Sequence, residues 1–301
     1  MTVERTTYEP RAYTPLTESE RRARAEHTGG EPALDFSVGR TSADTTPYID
    51  YHNVDVLLSL QHPRTREPAE LTFYTVGQIQ ELLFKLLFTD INRVRDLLFD
   101  DLLDEALWHL RRVERTQRLL AASWDPVSAI TASEFAGFRN ELGVASGLQS
   151  YMYRQLEFAL GHKSPRMAEA HNAVAWVHEQ VDAALRAPSV YDAALAVLRR
   201  RGAPIPERPD YAQPYEPDPA VEEAWAGIYR EPKRDHRLYL LAEALSEVGY
   251  LHSRWRSTHL LVVERILGHK PGTGGTDGVD WLRRVSEHRF FPELLAARST
   301  L

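Results

Sequence analysis

Leucine and other apolar residues recur at helical spacing along most of the chain. Segments 52–61 (HNVDVLLSLQ) and 73–122 are the densest, and 131–160, 166–186, 190–201, 218–228 and 236–268 read the same way. No stretch alternates strictly in Val, Ile and Thr, so strands are not expected. The pattern predicts an all-α fold with long helices in a bundle-like core. Residues 1–45 show no sustained period and carry Pro10, Pro15, Gly29, Gly30 and Pro32. They read as a flexible N-terminal arm with a short helix over 17–26, leaving 46–301 as one helical domain. Prolines crowd 204–218, which reads as an exposed linker between helices. There is no tandem repeat.

The segment 236–268 is the most legible. Leu238, Leu241, Leu245, Val248, His252, Trp255, His259, Val262 and Ile266 follow one another at alternating steps of three and four, which puts all of them on one inward face. Gly268, then Lys270 and Pro271, punctuate its end. His259 sits in mid-stripe and has two readings. It is a hydrogen-bonded core histidine, or a neutral imidazole facing an apolar interior, as a haem iron takes for its proximal ligand. His252 lies two turns earlier, roughly 10 Å away at helical rise, too far to share a metal ion with it. The GTGGTDG stretch (272–278) is too glycine-rich for a helix and lacks both the phosphate-loop and the dinucleotide patterns. It reads either as a surface turn or as a loop closing over a small ligand, with Thr273 supplying a hydroxyl.

Composition narrows the chemistry. The 301 residues contain no cysteine, which excludes disulfides, zinc–thiolate and iron–sulfur sites, cysteine nucleophiles and thiolate-ligated or covalently attached haem. With 12 histidines, a metal held by imidazole or oxygen stays open. A net charge of −7 argues against nucleic-acid binding. No apolar run approaches the ~20 residues that span a bilayer, and the N-terminus has no signal-peptide h-region, so the expectation is a cytoplasmic protein.

Two further positions stand out. Arg139, in EFAGFRNEL, borders a helix face made by Phe135, Phe138 and Leu142. It is a snorkelling or ion-paired surface arginine, or a bidentate clamp for a substrate carboxylate. Phe73, Gly77, Gln80 and Phe84 share a helical face. A glycine inside a helix costs ~1 kcal/mol relative to alanine. It marks a closely packed neighbour, or a cofactor edge or substrate ring lying against it.

Four stretches, taken in order, resemble the tryptophan 2,3-dioxygenase family. They are YIDYHNVDVLLSLQ (48–61), FYTVGQIQELLFK (73–85), FAGFRNELGVASGLQSYMYRQLE (135–157) and WRSTHLLVVERILGHKPGTGGTDG (255–278). Residues 1–45 and 163–235 carry no such motif. The resemblance implies an all-helical haem b enzyme that uses O2, assembles as a homotetramer and acts on a small aromatic amino acid. Residue by residue, it implies that His259 is the proximal iron ligand and that Arg139 binds the substrate carboxylate. Thr273 would bind the ammonium and carboxylate end, and Phe73 and Phe135 would wall the indole. Tyr48 and Tyr51 would approach the pocket, that of a neighbouring subunit. Ser146 and Gly147 would lie near haem and substrate. The sequence departs from the family at Gly77, where the family has a histidine that contacts the indole N–H, and at Leu83, where it has a tryptophan. With Gly77 and Phe73 at the reacting ring, this departure resembles the 2-oxindole-forming branch known from the maremycin natural-product pathway. The expectation is therefore monooxygenation of tryptophan or β-methyltryptophan with an external reductant. The alternatives are dioxygenation to N-formylkynurenine and a non-catalytic haem sensor.

Overall fold

The computed structural model describes residues 17–27, 45–268 and 278–301. All regular structure among them is helical. The chain divides into two compact units, Met1–His62 and Pro63–Leu301.

The first unit contains α1 (Glu18–His27), α2 (Pro47–His52) and α3 (Val54–Leu58). Thr46 caps α2 through its hydroxyl, and Pro47 opens the helix where no backbone donor is needed. Asn53, left-handed at φ 50°, splits the 52–61 segment into the end of α2 and the short α3.

In the second unit α4 (Pro68–Phe99) and α5 (Leu103–Ala122) form a long antiparallel pair. The 73–122 stretch breaks at Asp100–Leu102, where Asp101 takes φ 61° and the Leu102 N–H bonds back to the Leu97 carbonyl at 2.8 Å. There follow α6 (Trp124–Ser128), α7 (Ala132–Phe138), α8 (Tyr151–Leu160), α9 (Pro165–Glu169), α10 (Ala175–Arg186), α11 (Val190–Arg200), α12 (Pro219–Arg230) and α13 (His236–Leu267). Two short helices, α14 (Val279–Ser286) and α15 (Pro292–Ala297), close the chain and escape periodicity because each spans barely two turns. The core lies where α4, α5 and α13 pack, around Leu87, Ile91, Val94, Leu110, Val113, Leu241, Leu245 and Val248.

One expectation needs correction. The 131–160 segment is not one helix. It ends as α7 at Phe138, tightens into a 3-10 turn over Arg139–Leu142, reverses at Gly143 with φ 56° and restarts at Ser150. The 204–218 stretch is an irregular, largely exposed connection between α11 and α12 that is anchored at a few points. Ile205 and Ala212 are buried, Arg208 pairs with the buried Asp192 at 2.9 Å, and Tyr215 donates to the buried Glu293 carboxylate. Apolar and aromatic residues interleaved with the prolines give that segment something to bury.

Candidate functional site

On α13 the stripe from Leu238 to Ile266 is buried as its spacing predicts, except at His259, which is half-buried. Its imidazole lies flat on the Trp124 indole, with ring centroids 4.5 Å apart and planes 5° from parallel, and Trp255 flanks it at 6.1 Å. Trp124 opens α6. The preceding Ser123 donates to the Leu120 carbonyl at 2.7 Å and accepts from Gln80 of α4 at 3.0 Å, which ties α4 to this corner. Desolvation pushes His259 down to about 4, so the ring is neutral near pH 7. His252, two turns earlier, is fully buried against the Tyr153 hydroxyl at 3.3 Å.

On α4 the ring of Phe73 meets Phe135 at 5.9 Å and Phe138 at 5.6 Å, and the latter two meet at 5.0 Å. This aromatic wall joins α4 to α7. One turn on, Gly77 is exposed, and a Cβ built there meets nothing within 4 Å. Close packing therefore does not explain the glycine. Gln80 and Phe84 turn inward, Phe84 onto the Trp255 ring at 5.5 Å. Leu83 is buried in the core.

Arg139 follows the aromatic wall directly, half-buried at the first position of the 3-10 turn and not within a helix. The turn is held by Arg64, whose guanidinium donates to the Glu141 carbonyl at 2.8 Å. Ser146 caps a second 3-10 turn through a capping box with Gln149, and a Cβ at Gly147 would meet nothing within 4 Å. Thr273 and most of its loop lie outside the described residues. Tyr48 and Tyr51 belong to the first unit, exposed on α2.

The family model for tryptophan 2,3-dioxygenase matches residues 33–227 and 220–301. A tryptophan 2,3-dioxygenase of Bacillus cereus is 41% identical over 257 residues, covering 84% of this chain and 92% of that protein. One from Burkholderia pseudomallei is 40% identical over 271 residues, 89% of this chain and 87% of that protein. The chain belongs to the tryptophan 2,3-dioxygenase family. The match runs through 163–235, where no motif is legible.

Membership in the tryptophan 2,3-dioxygenase family implies haem and O2, and the residues present fit a haem. Among the described residues no three His, Asp or Glu side chains gather to hold a metal ion. His259 instead offers a single neutral nitrogen donor in an aromatic setting, the donor a macrocycle-held iron requires. A charge network beside this stripe escapes motif reading. Glu157 of α8 accepts from Arg154 and from Arg256 of α13, and Arg256 also donates to the Tyr153 hydroxyl at 3.0 Å and the Val285 carbonyl at 3.1 Å. Burial alone would raise the Glu157 carboxyl, but Arg154, His162 and Arg256 hold it well below the usual carboxylate range. Arg256 carries no sequence signal, because it stands among His252, Ser253, Arg254, Ser257 and Thr258.

Proposed function

We propose that this protein is a haem-dependent oxygenase acting on the indole ring of L-tryptophan or a close derivative, and that it inserts both atoms of O2 to give an N-formylkynurenine. The observation that carries the reading is the neutral His259 imidazole stacked on Trp124, in the same unit as the Phe73–Phe135–Phe138 wall and Arg139. The names of the relatives support the two-atom outcome. When bound, the haem supplies O2 activation at its iron. His259 holds it, with Ser146 and Gly147 alongside. Arg139 fixes the substrate carboxylate through a charge-assisted pair. The aromatic wall orients the ring and excludes water, and Thr273, which lies outside the described residues, would bind the amino-acid end. In a homotetramer, Tyr48 and Tyr51 would reach a neighbouring copy's pocket; the molar mass in solution tests that assembly.

A second reading, single-atom insertion to a 2-oxindole, is favoured by Gly77. No side chain projects from that position towards a ring, so the ring can sit differently. Single insertion consumes two external electrons per turnover, whereas two-atom insertion consumes none. Turnover under 18O2 with a measured quantity of reductant separates them. A ring-opened product with two labels and no net reductant use supports the first reading. One label with stoichiometric reductant use supports the second. No oxygenated indole product, and no haem spectral change on adding tryptophan, would refute both.

A further inference from the structure

A cavity of about 360 Å³ opens between α4, α8 and α10, and no residue lining it has a task in the reading above. Its volume is in the range of small-molecule pockets. Phe88, Asn92 and Arg95 of α4 line one side, spaced so that they share a helical face. Gln155 of α8 lines a second side. Alanines make most of the rest, among them Ala183 and Ala184 of α10. Their methyl groups are too short to fill the space in front of the Phe88 ring, which leaves a slot with apolar walls.

Two polar side chains in the slot have hydrogen-bonding capacity left over. Gln155 is 5% exposed, and its amide nitrogen makes one long bond, 3.4 Å, to the Tyr151 carbonyl. Its amide oxygen accepts no hydrogen bond among the described residues. A buried amide oxygen without a donor is costly unless something entering the slot supplies one. Arg95 has a side chain 19% exposed and five N–H donors. Its Nε and Nη2 face one oxygen of Asp96 at 2.9 and 2.8 Å, and its Nη1 donates to Asn92 Oδ1 at 2.6 Å. One N–H on each terminal nitrogen remains. Asn92 is spent, since its own nitrogen donates to the Phe88 carbonyl at 2.8 Å. Behind the alanines the buried Lys163 amine donates to the Ala184 and Ala187 carbonyls at 2.7 Å each. An anion is therefore favoured at the Arg95 end, and Asp96 beside it disfavours a dianion.

We propose that this cavity is a second ligand site, for a small aromatic monocarboxylate bearing a hydrogen-bond donor on its ring. The carboxylate takes the free N–H groups of Arg95, the ring lies between Phe88 and the alanines, and the donor meets the Gln155 oxygen. The site goes beyond the oxygenase reading and does not depend on it. Phe88 follows Gly77 by eleven residues on α4, about 16 Å along the helix, so a ligand here does not compete with one held by Arg139.

The test is ligand-observed NMR with para-hydroxybenzoate and the haem-loaded protein, without O2 and with L-tryptophan in excess. The parent should bind the probe with a dissociation constant below about 10 mM. Ala183→Trp, which puts an indole into the exposed lip of the slot, should weaken binding about tenfold or more. Arg95→Gln should weaken para-hydroxybenzoate about tenfold or more and leave the neutral para-hydroxybenzamide within about twofold of its parent affinity. Gln155→Leu should remove the preference for para-hydroxybenzoate over para-methylbenzoate. If Ala183→Trp is unfolded by its melting curve, the acid-to-amide ratio in Arg95→Gln decides alone. Absence of binding to the parent at about 10 mM overturns the inference. So does binding that a folded Ala183→Trp leaves undiminished, an acid-to-amide ratio that ignores Arg95, or displacement of the probe by tryptophan, which would put it at Arg139.

Discussion

Stacking on Trp124 covers one face of the His259 ring, and desolvation keeps the ring neutral, so its nitrogen lone pair is available to iron across the physiological range. His259→Ala should therefore lose haem, or show a spectrum without protein imidazole, while His252→Ala keeps an imidazole-ligated spectrum. The reverse result would mean that the other histidine is the ligand. At Arg139 the expected contribution is that of a hydrogen bond to a charged group, roughly 1.5–3 kcal/mol. Arg139→Ala should weaken amino-acid binding by about one to two orders of magnitude and leave tryptamine, which has no carboxylate, unaffected. Equal losses for the two ligands would indicate a folding role.

At the scale of the element, α4 sets the spacing of the site and α7 delivers Arg139 to its end. Gly77 weakens α4 without any packing return, since a Cβ there meets nothing. Gly77→Ala should stabilise the protein by up to ~1 kcal/mol in chemical denaturation. A fall in stability instead would mean that position 77 is crowded in solution. The start of α7 is fixed by the Thr131–Glu134 capping box, with Thr131 N donating to the carboxylate at 2.8 Å. Losing that cap in Thr131→Ala costs about 1 kcal/mol. Because α7 ends at the residue before Arg139, the same variant should weaken tryptophan binding more than tryptamine binding.

Across the second unit the α8–α13 contact rests on the buried Glu157–Arg154–Arg256 network. Removing the carboxylate leaves two buried guanidiniums uncompensated, so Glu157→Ala should cost about 3–5 kcal/mol. The pH dependence follows from the signs of the shifts. Desolvation holds His252 well below its ordinary value and His288 down to about 3, so the unfolded chain takes up protons first. Their contribution is full above the unfolded histidine value of ~6.5 and is lost as pH falls from there towards the folded values. The Glu157 contribution is present above the unfolded carboxylate value of ~4.3 and is lost as pH falls towards its depressed folded value. The melting temperature should thus begin to fall below about pH 6.5 and fall further below about pH 4. A melting temperature flat between pH 7 and pH 4.5 would mean that these histidines are not buried neutral in solution.

Periodicity alone determined the helical class, the inward stripe of α13 and the position of His259 on it, because a 3.6-residue repeat is a local property of the chain. The aromatic positions 73, 135 and 138 were also legible as residues, since each lies on an apolar face. The tertiary structure decided which of them meet. Phe73 and Phe135 are far apart in sequence and are joined only by the packing of α4 on α7. It also decided that Arg139 stands on a 3-10 turn, because the break depends on a left-handed Gly143 and on Arg64 bonding to Glu141, neither of which has a periodic signature. The anchoring of the 204–218 stretch through Ile205, Ala212, Arg208 and Tyr215, the Trp124 stack on His259 and the charge network at Glu157 were invisible for the same reason. Each is a contact between distant segments, and hydrophobic spacing records which face of an element is buried but not what it is buried against.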